Sequence, residues 1–328
     1  MGVRVVGIDA TTVGGGAAGR NGGFLLAGLA AFYHEAVRAI GRERAATIYR
    51  QTMAEIERMA TALPGIVRQV GSLRIAASAR EVADCEAQLQ AMRADGLPVE
   101  PYRGPEGEGL LLPTDGVFQP LQRCRLMAEA ACRNGAFLFT HTPALAIEGT
   151  TVHCPRGRIL ARHVIIAVDG GLERLVPELR HTVRSTRLQM LATAPDPTLA
   201  LPCPVYTRWG YDYWQQLPDH RIALGGCRDR FAAEEWDAPP HPSAPVQAAL
   251  EQILRERVGS QAPVERRWAT QVAYRRDSIL PIARQIRPQV WAIGAYNGTG
   301  NVIGALCGRA AARAVARGDL TLLRLLDG

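Results

Sequence analysis

The C-terminal stretch carries the arrangement that most restricts the fold. An apolar run, VWAIGAY (290–296), meets a helical stretch, VIGALCGRAAARAVARG (302–318), through the five residues NGTGN (297–301). A short apolar run that turns on glycines into a helix reads as a buried strand of an α/β layer, where helices cover both faces of the sheet. Glycines in the turn let the backbone approach a partner closely, and the first amides of a helix favour negative charge. Taken alone, the loop is either an anion-binding helix start or an ordinary one.

Two more runs fit the same layer. VRVVGI (3–8) is β-branched and closed by Asp9, and HVIIAV (163–168) ends at Asp169-Gly170-Gly171. Helical spacing places Ile48, Thr52, Ile56, Met59 and Leu63 on one face of a helix over 42–63. Further helices are expected over 81–94 and 246–258, and from Pro120 to a stop at Gly135. AFLF (136–139) reads as a buried strand, and 72–77, 151–153, 157–160 and 268–274 as further strands. Residues 186–231 alternate and hold most of the tryptophan and tyrosine, as a mainly antiparallel sheet would. Residues 95–119 and 235–245 are rich in Gly and Pro and read as loops. There are no internal repeats.

Composition narrows the function. With 328 residues, 47% of them hydrophobic, the chain can bury a large core or two. No run of about 18 uninterrupted apolar residues exists, so no spanning helix is expected. The start lacks the pattern of a secretory signal, and the cysteines read as reduced thiols, so a cytoplasmic location is expected. The net charge of +7 rests on arginine alone, scattered among acidic residues rather than gathered in a stripe, so a nucleic-acid partner is not expected. Seven widely spaced cysteines with no CxxC pair argue against zinc and against a disulfide framework, and no metal is expected.

The literal string Gly14-x-Gly16-x-x-Gly19 matches a dinucleotide fingerprint but fails its context. The fingerprint opens a helix of a βαβ unit whose second strand ends in an acidic residue about 20 residues on. Here helix-like sequence runs on to Leu63, and the acidic strand end, Asp9, precedes the glycines. VRVVGID therefore reads as the second strand of such a unit, with Asp9 either a ribose-binding carboxylate or a turn cap. The first strand and its glycine turn are not in the sequence.

These segments, in this order, resemble the FAD-dependent D-amino-acid-oxidase-like oxidoreductase family, which includes glycine, sarcosine and γ-glutamylputrescine oxidases. The resemblance is carried by VGGGAAGRNGGFL (13–25), DGVFQPLQRCRLMAEAACRNGAFLFTHTPALAI (115–147), ILARHVIIAVDG (159–170), LPDHRIALGGCRD (217–229), WATQVAYRRDSILPI (268–282) and IGAYNGTGNVIGALCGRAAA (293–312). It implies an α/β fold with a Rossmann-like FAD domain, here short at its N-terminus, and a mainly antiparallel substrate sheet. The FAD domain is expected over 1–40, 115–185 and 264–328, and the substrate domain over 41–114 and 186–263. The implied chemistry is oxidation of a C–N bond in an amine or amino acid. Hydride passes to flavin N5, the imine hydrolyses, and oxygen or another acceptor takes the electrons. No essential catalytic acid or base is expected.

By the same resemblance Asp9 takes the adenine ribose, and Arg20, Asn21, Gly22 and Gly23 follow the pyrophosphate and the ring edge. Ala144 lies near adenine, Ala167 and Gly170 beside the adenosine phosphate, and Asn297, Gly298, Thr299, Gly300, Asn301 and Val302 cover the N1/C2 edge of the ring. Two departures stand out. The missing first strand and glycine turn imply weak FAD binding by the chain as written, or a misplaced start. The arginine that holds a carboxylate in glycine and sarcosine oxidases would fall near Val272, where none stands. Arg208, Arg275 and Arg276 are possible substitutes, and Tyr211, Tyr213 and Trp214 are candidates to line an amine pocket, since aromatic faces attract cations. Two alternatives stay open: a degenerate flavin-fold protein without activity, and a nicotinamide-dependent dehydrogenase.

Overall fold

In the computed structural model, which describes residues 3–327, the run 3–8 forms the strand Val6–Ile8 and pairs in parallel with Phe137–Phe139. A second parallel pair joins Val164–Ile166 to Val290–Gly294, with Ile165 opposite Trp291, and Ile282–Arg287 adds an antiparallel strand beyond it. A hairpin sheet of Ala146–Glu148, Thr151–Cys154 and Gly157–Leu160 stands alongside. These elements and the helix Gly300–Arg317 belong to a unit made of the residues up to Asn21, Gln119–Ser185 and the residues from Val272 on. Its core gathers Ile147, Val164, Ile166, Leu172, Ala273, Ile282, Val290 and Ala292.

AFLF (136–139) is a strand, as expected, but not a buried one: Phe137, Leu138 and Phe139 are 58%, 37% and 52% exposed. Among the described residues that strand pairs only with Val6–Ile8, and a two-stranded sheet has no inner position for it. Val6 is likewise exposed, whereas Ile8 leans on the core.

The other unit comprises Gly22–Phe118 and Thr186–Gln271. Its main element is an eight-stranded sheet in which Val183–Pro195, Arg221–Gly225, Asp212–Gln216 and Val205–Thr207 follow one another antiparallel. Val205–Thr207 then pairs in parallel with Ser72–Ile75, a long-range join that the alternation did not reveal. Residues 95–119, read as loop, instead supply three strands: Glu100–Gly104, Gly107–Leu112 and Gly116–Phe118. Pro101 sits on the outermost strand of the sheet, where a missing amide is tolerated, and Gly104 and Gly107 beside the turn, with Gly109 in the second strand, blur the alternation. Ile48, Thr52, Ile56 and Met59 of the Arg42–Ala62 helix are buried. The helix Ala244–Ile253 packs on the sheet through Val246, Leu250 and Ile253 against Leu73, Val205, Trp214 and Leu224.

No helix among the described residues is long and apolar enough to cross a membrane.

Candidate functional site

The NGTGN loop is shaped by backbone that few residues adopt. From the end of the Val290–Gly294 strand, Ala295 (φ +51°), Asn297 (φ +54°) and Gly298 (φ +92°) turn left-handed. An L side chain tolerates that region poorly, so tertiary contacts must hold it. Asn297 supplies several: its Oδ1 accepts from Arg275 N at 2.8 Å, and its Nδ2 donates to Ser278 O and Ile279 O. Gly298 needs to be glycine twice over, because a Cβ there would sit 3.0 Å from the Tyr274 hydroxyl. The helix Gly300–Arg317 then begins without a side-chain cap, since the Thr299 hydroxyl turns back to Tyr296 O. A helix start of this kind favours a negatively charged group.

The structure brings Asn21 to this helix start. Asn301 Nδ2 donates to Asn21 Oδ1 at 3.0 Å, although the two are 280 residues apart. Asn21 itself donates to Ala17 O and Ala18 O, which closes the single helical turn Ala17–Arg20. That turn is all the helix that Gly14–Gly19 opens, so the string does not build a dinucleotide fingerprint. Arg20 is exposed at its end. Asp9 stands at the C-terminal end of Val6–Ile8 and accepts from Thr11 N (2.7 Å) and Thr11 Oγ1 (2.8 Å). Both bonds use Oδ1, so Asp9 caps a turn while Oδ2 takes no part in it. Ala167 and Gly170 follow the end of the Val164–Ile166 strand, and Ala144 packs against the core of the same unit. All of these, with Asn297 through Val302, belong to the first unit.

Gly22, Gly23 and the three aromatic candidates belong to the second unit. Gln215 Nε2 donates to Gly22 O, and the Tyr213 ring lies 3.3 Å from where a Gly22 Cβ would stand. Gly23 O accepts from Phe118 N. Tyr213 also meets Phe24 edge-to-face at 5.9 Å. Side chains alternate along the strand, so Trp214 points the opposite way, 5% exposed, into the core beneath the Ala244–Ile253 helix. Aromatic packing accounts for it. Over the Tyr211 ring stands the Arg228 guanidinium, 5.1 Å from the centroid, so a cation of the chain itself covers that ring.

The three arginines considered as carboxylate holders differ in what they touch. Arg275, with a side chain 3% exposed, grips Asp277 through Nε and Nη2 at 2.9 Å each and donates to Pro281 O. That pairing holds the Asp277 carboxyl below the usual range. Arg208 binds Asp212 and Asp229. Arg276 is exposed.

Sequence reasoning passed over one residue. Asp169 follows the Val164–Ile166 strand at φ +47°, its Oδ1 accepting from Ala295 N at 2.8 Å and its Oδ2 from Ala273 N at 3.2 Å. Tyr296 contributes a third backbone bond. Desolvation outweighs these bonds and pushes its carboxyl up to about 6. The only local sign was an acidic residue at a strand end before two glycines.

The profile of the family described as FAD dependent oxidoreductase (DAO) matches residues 1–314. "Probable oxidoreductase OrdL" of Rhizobium meliloti (strain 1021) is 26% identical over 353 residues, which span 99% of this chain and 80% of that protein. Among solved structures, glycine oxidase from Bacillus cereus ATCC 14579 matches with a TM-score of 0.81 at 16% identity over 100% of this chain and 92% of that one. Glycine oxidase from Geobacillus kaustophilus matches with a TM-score of 0.78 at 18% identity, over 96% and 88%. At such identities the likeness shows a shared fold. The residues present fit an FAD: a helix start without a side-chain cap, a left-handed glycine turn leading into it, and a carboxylate at the end of a parallel strand.

Proposed function

The chain belongs to the DAO family of FAD-dependent oxidoreductases, and on that premise we propose that it oxidises the C–N bond of a small amine, primary or secondary, in preference to a compact α-amino acid. Bound FAD supplies a two-electron acceptor for a hydride from the carbon beside the amine, after which the imine hydrolyses and oxygen or another acceptor takes the electrons. Arg20, Asn21, Gly22, Gly23 and Asn297–Val302 are the residues to hold the ring end, and Asp9, Ala144, Ala167 and Gly170 the adenosine end. A neutral amine gives up hydride without a side-chain base. The chain's own contribution is then orientation, together with the field of the Gly300–Arg317 helix.

The observation that carries the substrate preference is the state of Arg275. Its guanidinium is enclosed and already engaged by Asp277 and Pro281, so it has no free fork to offer a substrate carboxylate. Arg208 is engaged in the same way by two aspartates, and no arginine stands near Val272, where the resemblance to glycine and sarcosine oxidases would put a carboxylate-holding one. Tyr213 is the aromatic candidate that remains, because Trp214 is core and the Tyr211 ring is covered.

Steady-state assays of the FAD-loaded protein test this reading. We expect kcat/KM on at least one primary or secondary amine to exceed that on glycine and D-alanine. Glycine or D-alanine outrunning every amine would overturn the preference. Absence of turnover with all of them, by flavin bleaching under anaerobic mixing, would overturn the amine-oxidising activity.

A further inference from the structure

We propose that Asp169 is the positioning residue that fixes the start of the Gly300–Arg317 helix, and through it the field that this helix presents to the flavin ring. The second half rests on the reading of the site given above.

The geometry is that of a clamp. One carboxylate, at the end of Val164–Ile166, reaches Ala273 in the strand Val264–Arg275 and Ala295 just beyond Val290–Gly294. Three strand ends are therefore tied to one side chain whose partners lie 104 and 126 residues away. The ends are pressed together: a Cβ on Gly294 would meet Asp169 Cα at 3.4 Å and Leu172 Cδ2 at 2.9 Å. Asp169 is itself held, since its carbonyl accepts from Leu172 N, and Gly171 N donates to Ser185 Oγ.

The clamped segment needs holding. Ala295 and Asn297 are both left-handed without being glycine. Asn297 secures the far end of the turn with its own side chain, as described above, but Ala295 has no side chain able to do so. The hydrogen bond that its backbone N–H donates to Asp169 Oδ1 is what holds it in place. From Ala295 the chain passes through Tyr296, whose ring sits against Gly300 and Gly304, into the helix. A carboxylate acceptor makes a stronger bond to an amide than a neutral oxygen does.

Two effects of removing the charge have opposite signs, and that makes the proposal testable. A freed helix start aims its positive end less well, which disfavours the reduced, anionic flavin and lowers the midpoint potential. Removal of a nearby negative charge acting directly would raise it. The test is Asp169→Asn, which keeps the shape and removes the charge, with Asp169→Glu as the charge-keeping control. Hydrogen exchange by mass spectrometry reads the peptide over 294–298, and spectroelectrochemistry reads the flavin. In Asp169→Asn we expect about tenfold faster exchange in that peptide. We also expect a potential about 30 mV lower, which is a tenfold loss of preference for the two-electron reduced state. Asp169→Glu should fall between Asp169→Asn and the unaltered protein in both.

Unchanged exchange in Asp169→Asn overturns the clamp whatever the flavin does. Faster exchange with an unchanged or raised potential overturns the link to the ring. If the unaltered protein takes up no FAD, the reading of the site fails together with that link, and exchange alone then decides the clamp.

Discussion

Replacing Asp115 by asparagine should remove a pH dependence of stability built into the second unit. Asp115 is 1% exposed and lies just before the strand Gly116–Phe118. Its Oδ1 accepts from Ala27 N at 2.8 Å and its Oδ2 from Ser72 Oγ at 2.6 Å, so it fastens the segment after Gly22 and Gly23 to the start of the interior strand Ser72–Ile75. Burial pushes the carboxyl from 3.8 up to about 7, against the pull of those bonds and of Arg74. Tyr49 and Tyr206 also face it, both neutral at ordinary pH because burial raises them further. The folded chain therefore binds this proton more tightly than the unfolded chain does. Stability is highest below the unfolded value and declines as pH rises from about 4 to about 7. Integrated between about pH 5 and about pH 8, a shift of that size removes roughly 2.5 kcal/mol. Asparagine fits the same space, still accepts from Ala27 N, and presents an amide that the Ser72 hydroxyl can accept. Urea unfolding of both proteins at the two pH values, followed by tryptophan fluorescence, should show Asp115→Asn gaining about 2.5 kcal/mol on the unaltered chain as the pH is raised. A difference between the two proteins that stays constant to within about 0.5 kcal/mol would refute the reasoning, since no titration would then be linked to this carboxyl.

Three further outcomes are expected. A double-mutant cycle on Asn21→Ala and Asn301→Ala should give a coupling of about 0.5–1.5 kcal/mol in urea unfolding, and additivity would mean that the bond between them does not form in solution. Gly19→Ala should destabilise the first unit by about 2 kcal/mol or more, because the new Cβ would fall 2.1 Å from Gly14 O, which is backbone and has no room to yield. Thermal unfolding that shifts by less than about 2 °C would count against that geometry. Glu235→Ala should cost about 3–5 kcal/mol, since it leaves the Arg187 guanidinium enclosed without its carboxylate partner at 2.5 Å, whereas replacing both residues by apolar ones should cost less. Equal losses in the single and double variants would show that the buried charge is not the reason.

Where neighbouring residues set the outcome, the sequence alone was sufficient. The strand, glycine turn and helix over 290–317 follow from adjacent residues, as do the buried face of Ile48, Thr52, Ile56 and Met59 and the failure of Gly14–Gly19 to open more than one helical turn. Periodicity and turn chemistry act over a few positions and can be read there. Glycine and proline hid the hairpin at 100–112 because they are also the residues of loops. The bonds that make the candidate site lay beyond such reading. Nothing near Asp169 marks it as the acceptor for Ala273 and Ala295, and nothing near Arg275 marks it as enclosed rather than open to a substrate. Which side of its strand Trp214 buries depends on the helix that covers the sheet. Each of these was decided where distant stretches of chain return to meet. For Asp169 the partners lie 104 and 126 positions away. For Arg275 the partners, and for Trp214 the covering helix, lie closer in the chain, but the packing that encloses the side chain comes from the tertiary fold. Desolvation and hydrogen bonding there set whether a side chain is left for a ligand.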